Sequence, residues 1–171
     1  MKKILMIAIT GLLLGGCSAK YNTAEVTKST ELLLKNKMVV IAQPANGVYE
    51  TKVYNGSGAA TALAVQSAFS RYTDNVSVVL ECTTLSCLKD KRPLSEGYYV
   101  VPQILHWEDR ATEWSGIPDK IEVKITVYHS VTDRVVASSI LSGKSKWATF
   151  GGDHPQDLLP QPINSYVAGL Y

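Results

Sequence analysis

The sequence predicts an α+β fold: one mixed sheet in which a βαβ unit is followed by an antiparallel meander, with helices packed on the sheet. Three observations predict it. The apolar run Lys37 to Ala42, a stripe of apolar residues within 59–72 and a second apolar run from Val76 fit into about 45 residues, the size of one βαβ unit. Lys120 to Tyr128 alternates strictly, with Ile121, Val123, Ile125 and Val127 on one face and Glu122, Lys124, Thr126 and Tyr128 on the other. That is the pattern of a half-buried antiparallel strand. Val131-Thr132-Asp133-Arg134 then turns the chain, and Val135 to Ser142 returns as a hairpin partner.

Taken in order, residues 1–16 read as a signal peptide. Lys2 and Lys3 precede an apolar run from Ile4 to Leu14, the cationic and apolar regions of a secretory signal. The run is too short to span a bilayer, which takes roughly 20 apolar residues. It ends Leu14-Gly15-Gly16-Cys17, which resembles the bacterial lipobox. The resemblance implies that the Cys17 thiol takes a diacylglycerol, that a peptidase cuts before it, and that the new amine is acylated. Several acyl chains anchor a protein far more firmly than a single one. Ser18 follows, where Asp would favour inner-membrane retention, so the expected location is the outer membrane, lipid-anchored, on the periplasmic face.

Residues 17–36, polar and without clear periodicity up to Thr30, read as the lipidated cysteine and a tether; Glu31 to Lys35 is either a short helix or the tether's docking point. Residues 37–171 are expected to form a single periplasmic domain. Lys37 to Ala42 reads as a buried strand ending before Pro44. Asn46-Gly47 and Asn55-Gly56-Ser57-Gly58 are turn signals flanking Tyr49 to Tyr54. Over Ala59 to Tyr72, Ala62, Val65, Ala68, Phe69 and Tyr72 recur at three- and four-residue steps, one apolar stripe of a helix with Ser57 as its cap. Val76 to Glu81 is the next strand, and Lys89 to Pro93 a charged connection. Tyr98 to Trp107 reads as a long strand in which Pro102, unable to donate to a ladder, requires an edge position or a bulge. Residues 108–119 form a polar loop, and Ile163 to Tyr171 a terminal helix.

Charge and cysteines narrow the function classes. The chain holds 17 Lys and Arg against 15 Asp and Glu, and removing Lys2 and Lys3 leaves the two signs balanced. A nucleic-acid partner usually requires a concentrated basic face, and export argues against one more strongly. Setting Cys17 aside leaves Cys82 and Cys87, and in an oxidising periplasm two cysteines this close predict a disulfide. Half of a metal site is the alternative, but no second Cys pair or suitably spaced His pair completes it. A ring this small stabilises by about 2 kcal/mol.

The segment Tyr98 to Arg110 (Tyr-Tyr-Val-Val-Pro-Gln-Ile-Leu-His-Trp-Glu-Asp-Arg), with the hairpin Ile121 to Val136, resembles small bacterial lipoproteins grouped as a domain of unknown function. The order of elements is similar to the periplasmic domain of the curli-secretion lipoprotein, to the penicillin-binding-protein activator LpoB and to the amino-terminal domain of TolB. The resemblance implies non-catalytic work: binding envelope proteins, assembling into rings, or regulating an enzyme elsewhere.

The chemistry-bearing residues are few. Gly56-Ser57-Gly58 lacks the lysine of a phosphate-binding loop and reads as a cap turn. His106, Glu108, Asp109 and Glu113 cluster where a strand leaves the sheet, and paired carboxylates there are the feature closest to acid–base catalysis. The three histidines do not share metal-ligand spacing, so no metal and no cofactor is implied. Trp107, Trp114 and Trp147 either pack as core or present a flat surface, Trp114 being least expected to be buried. The expected reading is an envelope scaffold or accessory that is not an enzyme, partnered by the membrane through its anchor and by an envelope protein or a second copy of itself. The alternative is a module for peptidoglycan or surface polysaccharide, with Trp107, Glu108, Glu113 and Trp114 as the binding surface.

Overall fold

The computed structural model describes residues 19–29, 31–110, 117–146 and 154–171. The expected mixed sheet is present, with six strands. In chain order the elements are β1 (Lys20–Thr27), β2 (Met38–Ala42), the short hairpin β3 (Val48–Tyr49) and β4 (Lys52–Val53), α1 (Ser57–Phe69), β5 (Val76–Val79), α2 (Leu85–Lys91), β6 (Gly97–Glu108), β7 (Lys120–His129) and β8 (Val135–Lys144). A 3-10 turn (Pro155–Leu158) and α3 (Pro160–Ala168) complete them. The sheet order is β1-β8-β7-β6-β2-β5. β2 runs parallel to both β5 and β6, and β6, β7, β8 and β1 are successively antiparallel.

α1 forms the crossover of the βαβ unit. Its predicted stripe is its buried face: Ala62, Val65, Ala68 and Phe69 are at most 1 % exposed. They pack on Val39, Ile41 and Val100 together with Ile163 and Val167 of α3. Tyr72, just past the helix, stacks on Tyr171 with ring centres 4.7 Å apart. Ser57 is the first helical residue and not the cap; that position falls to Gly56, whose φ of 87° favours glycine. The Ser57 hydroxyl instead accepts from Gly47 N–H at 2.8 Å and donates to the Tyr54 carbonyl at 2.7 Å, fastening the β3–β4 hairpin to the helix start.

The opposite face of the sheet carries a smaller core of Val40, Ala42, Tyr99, Val101, Cys82 and Leu88 under α2. Cys82 and Cys87 are bonded, and the link ties the chain before α2 to the helix's first turn. The charged connection expected at 89–93 is in part the end of this helix, started by Thr84, whose hydroxyl accepts from Cys87 N–H. Helices therefore cover both faces of β2 and β6, and the core under α2 extends to Tyr128 of β7.

Two expectations are resolved by the register. Pro102 lies in an interior strand, yet β2 pairs with β6 only as far as Val100, so from Pro102 onward β6 has an edge on that side. A bulge follows between Ile104 and His106. The tether expected over 17–36 is corrected: residues 20–27 are a strand, paired antiparallel with β8 from Lys20↔Lys144 to Thr27↔Ser138. Backbone hydrogen bonds to β8 hold this polar segment, so it needs no apolar stripe of its own. Glu31 to Lys35 is a docking point and not a helix: Leu33 is 4 % exposed, and its N–H donates to the Leu170 carbonyl at 2.7 Å.

Candidate functional site

The polar residues converge at one end of the sheet, where β6 finishes and β7 begins. Strand alternation after the β6 bulge places His106 and Glu108 on the face away from α1, and Glu108 stands opposite Lys120 in the β6–β7 register. Glu108 is 1 % exposed, and four groups surround its carboxylate. His106 Nε2 lies 3.0 Å from Oε2, Lys120 Nζ lies 3.2 Å from Oε2, and the Arg110 Nε–H and terminal NH₂ both donate to Oε1. Burial alone would raise the Glu108 pKa; the hydrogen bonds from His106, Arg110 and Lys120, with the Lys120 charge, outweigh it and hold the group at about 2. The same hydrogen bond from Arg110 to Glu108 raises the guanidinium further.

The β3–β4 hairpin closes the cluster from above. Arg110 donates to the Tyr49 hydroxyl at 3.1 Å, and the Tyr49 and His106 rings meet edge-on with centres 5.1 Å apart. Asp119, 5 % exposed, accepts from the Arg110 backbone N–H at 2.6 Å and is joined to Ser145 by paired backbone and side-chain hydrogen bonds. A carboxylate at about 2, with both oxygens engaged, is a weak base and holds no proton to donate near neutral pH. The arrangement fixes the strand ends in place.

The residues singled out from sequence fall in different places. Trp107 is 3 % exposed on the α1 side, and a Cβ added at Gly47 would stand 2.5 Å from its Cβ. Trp107 and Glu108 thus offer no open surface: the first is core, the second enclosed by its partners. Glu113 and Trp114, the other half of the suggested binding surface, lie outside the described residues, as do Cys17 and Trp147. His129 and His154 stand apart from the cluster, and among the described residues no group of three or more His, Cys, Asp or Glu could hold a metal. No helix among the described residues is long and apolar enough to cross a membrane.

Sequence reading missed Lys20 and Lys144. Register aligns Lys20 with Lys144 and Lys144 with Lys120, so three ammonium groups stand side by side across β1, β8 and β7, with Glu108 next in the row. Lys120 opens the alternating run of β7 and shares the face of Glu122 and Lys124. Its neighbours became visible only once the pairing of β1 with β8 was known.

The structure thus defines a small α+β domain: a mixed six-stranded sheet with helices packed on it and a charged cluster at one end. The chain belongs to the family described as a domain of unknown function, DUF4823, which it matches over residues 31–170. Its fold is similar to the PelC dodecamer from Paraburkholderia phytofirmans, with a TM-score of 0.66 at 11 % identity over 89 % of this chain and 96 % of that one. It is also similar to protein XCC0632 from Xanthomonas campestris, of family DUF330, with a TM-score of 0.51 at 16 % identity over 84 % and 90 % of the two chains. No curated protein matches it.

Proposed function

We propose that this protein is a lipoprotein acylated at Cys17, held on the periplasmic face of the outer membrane, and that it works there without catalysis as a self-assembling scaffold or accessory. The observation that carries the reading is the position of Cys17. It ends an apolar leader in Leu14-Gly15-Gly16-Cys17 and stands only three residues before β1. Three residues reach about 10 Å at most, so the anchor holds the sheet itself against the bilayer.

Self-assembly draws on the fold shared with PelC, which was solved as a dodecamer. It draws also on β1, an eight-residue strand at the sheet border that, among the described residues, pairs with no strand on the side away from β8. The enclosed, strongly acidic Glu108 supports a non-catalytic role for the polar cluster.

The test is in-cell crosslinking of the full chain, followed by native mass measurement of the detergent-solubilised protein. A diacylglyceryl mass on Cys17 and a discrete multiple of the chain are expected. An unmodified Cys17 removes the anchor. A protein that stays monomeric and crosslinks to no envelope protein removes the scaffold and leaves the polysaccharide-binding alternative, which Trp114→Ala then tests by loss of retention on peptidoglycan.

A further inference from the structure

We infer that the row Lys20–Lys144–Lys120 is a docking surface for the anionic phospholipid headgroups of the membrane that carries the anchor. The inference rests on the acylation of Cys17 and goes beyond it, assigning the face and the lipid chemistry that the anchored domain meets. Like charges directly opposite on neighbouring strands repel, with Cβ atoms about 5 Å apart, and an anion lying over the row relieves that repulsion. Lys20 and Lys144 are exposed and have no ion-pair partner among the described residues. Lys120 shares Glu108, whose carboxylate is also paired with Arg110 and hydrogen-bonded to His106. The acidic neighbour on this face is Glu122, one row further from the anchor.

Three features select a membrane as the occupant. The row stands at the end of the sheet where β1 begins, within three residues of Cys17, so an acyl anchor brings these lysines to headgroup level before any other part of the domain. The side chains lie on the α2 side of the sheet, at the end of β7 opposite Tyr128, which packs in the core under α2. Along the row runs a groove of about 390 Å³, whose polar lining is the three lysines, Asn22, His106, Ser142 and one carboxylate, Glu122, so that cationic and hydrogen-bonding groups outnumber the acidic one facing a phosphate. Each lysine near an anionic bilayer contributes roughly fivefold to partitioning, so three give on the order of a hundredfold.

The test uses the acylated full-length protein recovered from membranes and reconstituted in vesicles of phosphatidylcholine alone or with one third phosphatidylglycerol. Each lysine's reaction rate with an impermeant amine reagent is read by peptide mass spectrometry, the amino-terminal peptide reporting acylation in the same sample. With anionic lipid, Lys20, Lys120 and Lys144 should react at least about fivefold more slowly, while Lys91 on α2 is unchanged; high salt should restore the rates. In K20Q/K144Q, which leaves the Glu108 cluster intact, the protection of Lys120 should be lost while the melting temperature holds. Equal rates in both lipids, with Cys17 acylated, overturn the headgroup surface and leave the anchor standing. Protection that persists in neutral vesicles and in detergent overturns it in favour of a second copy of the chain. An unacylated Cys17 overturns both.

Discussion

Glu108 gathers most of the charge chemistry at the β6–β7 end, and its behaviour with pH follows from its partners. Folding lowers its pKa from an ordinary 4.5 to about 2, so the unfolded chain takes up the proton first. The stability it contributes is present above about pH 4.5 and is lost as the pH falls towards 2. Allowing for water at the half-exposed Arg110 and Lys120, that contribution is about 2 kcal/mol. Urea unfolding at several pH values should show the decline, and Glu108→Gln should remove it while lowering stability at neutral pH by a similar amount. An unaltered pH profile in the variant would show that other carboxylates carry the effect. Gly47 offers a steric counterpart. A methyl there meets Trp107 Cβ at 2.5 Å, so Gly47→Ala should cost about 1–3 kcal/mol through overpacking, measured as a fall in the denaturation midpoint.

Among the elements, α2 owes its place to a covalent clip and a small core. Reducing Cys82–Cys87, or replacing both residues with Ala, should lower stability by about 2 kcal/mol and raise amide exchange in Leu85–Lys91 more than in β7. Uniform loosening of the whole sheet would contradict a local role. The elements that were legible in the sequence are those whose burial leaves a period. The stripe of α1 and the alternation of β7 each bury one face, and each was found to within a few residues. β1 left no such period because it is an edge strand with mostly polar residues on both faces, ordered by the backbone of β8. The site was legible in part for a related reason. Glu108 and His106 are near one another in sequence and were noticed together, but what encloses Glu108 comes from Lys120 and, through Arg110, from Tyr49. The lysine row joins strand ends more than 100 residues apart, and only register shows it.

For the molecule as a whole, the distance between anchor and sheet decides how the domain meets its surroundings. Under the proposed acylation of Cys17, with two residues between it and β1, the sheet would have little freedom to lift from the bilayer. Inserting ten Gly and Ser residues between Ala19 and Lys20 should leave acylation and melting temperature unchanged. It should weaken lipid protection of the lysine row severalfold, because flexible chain lowers the effective concentration of headgroups. Protection as strong as in the parent would mean that the lysines bind without help from the anchor.

The pairing of β1 with β8 also sets an order of events. The first strand of the domain has as its partner the last strand made, with Lys20 opposite Lys144. A ribbon closed across so long a loop is entropically costly and slow to form. A chain made from its amino terminus can seat β2, α1, β5 and β6 as they appear, whereas β1 must wait for nearly all of the polypeptide. Throughout that interval the unpaired β1 is open to the β8 of a neighbouring molecule. Crowding of newly made chains should therefore favour strand exchange between copies, and dilution the correctly closed monomer.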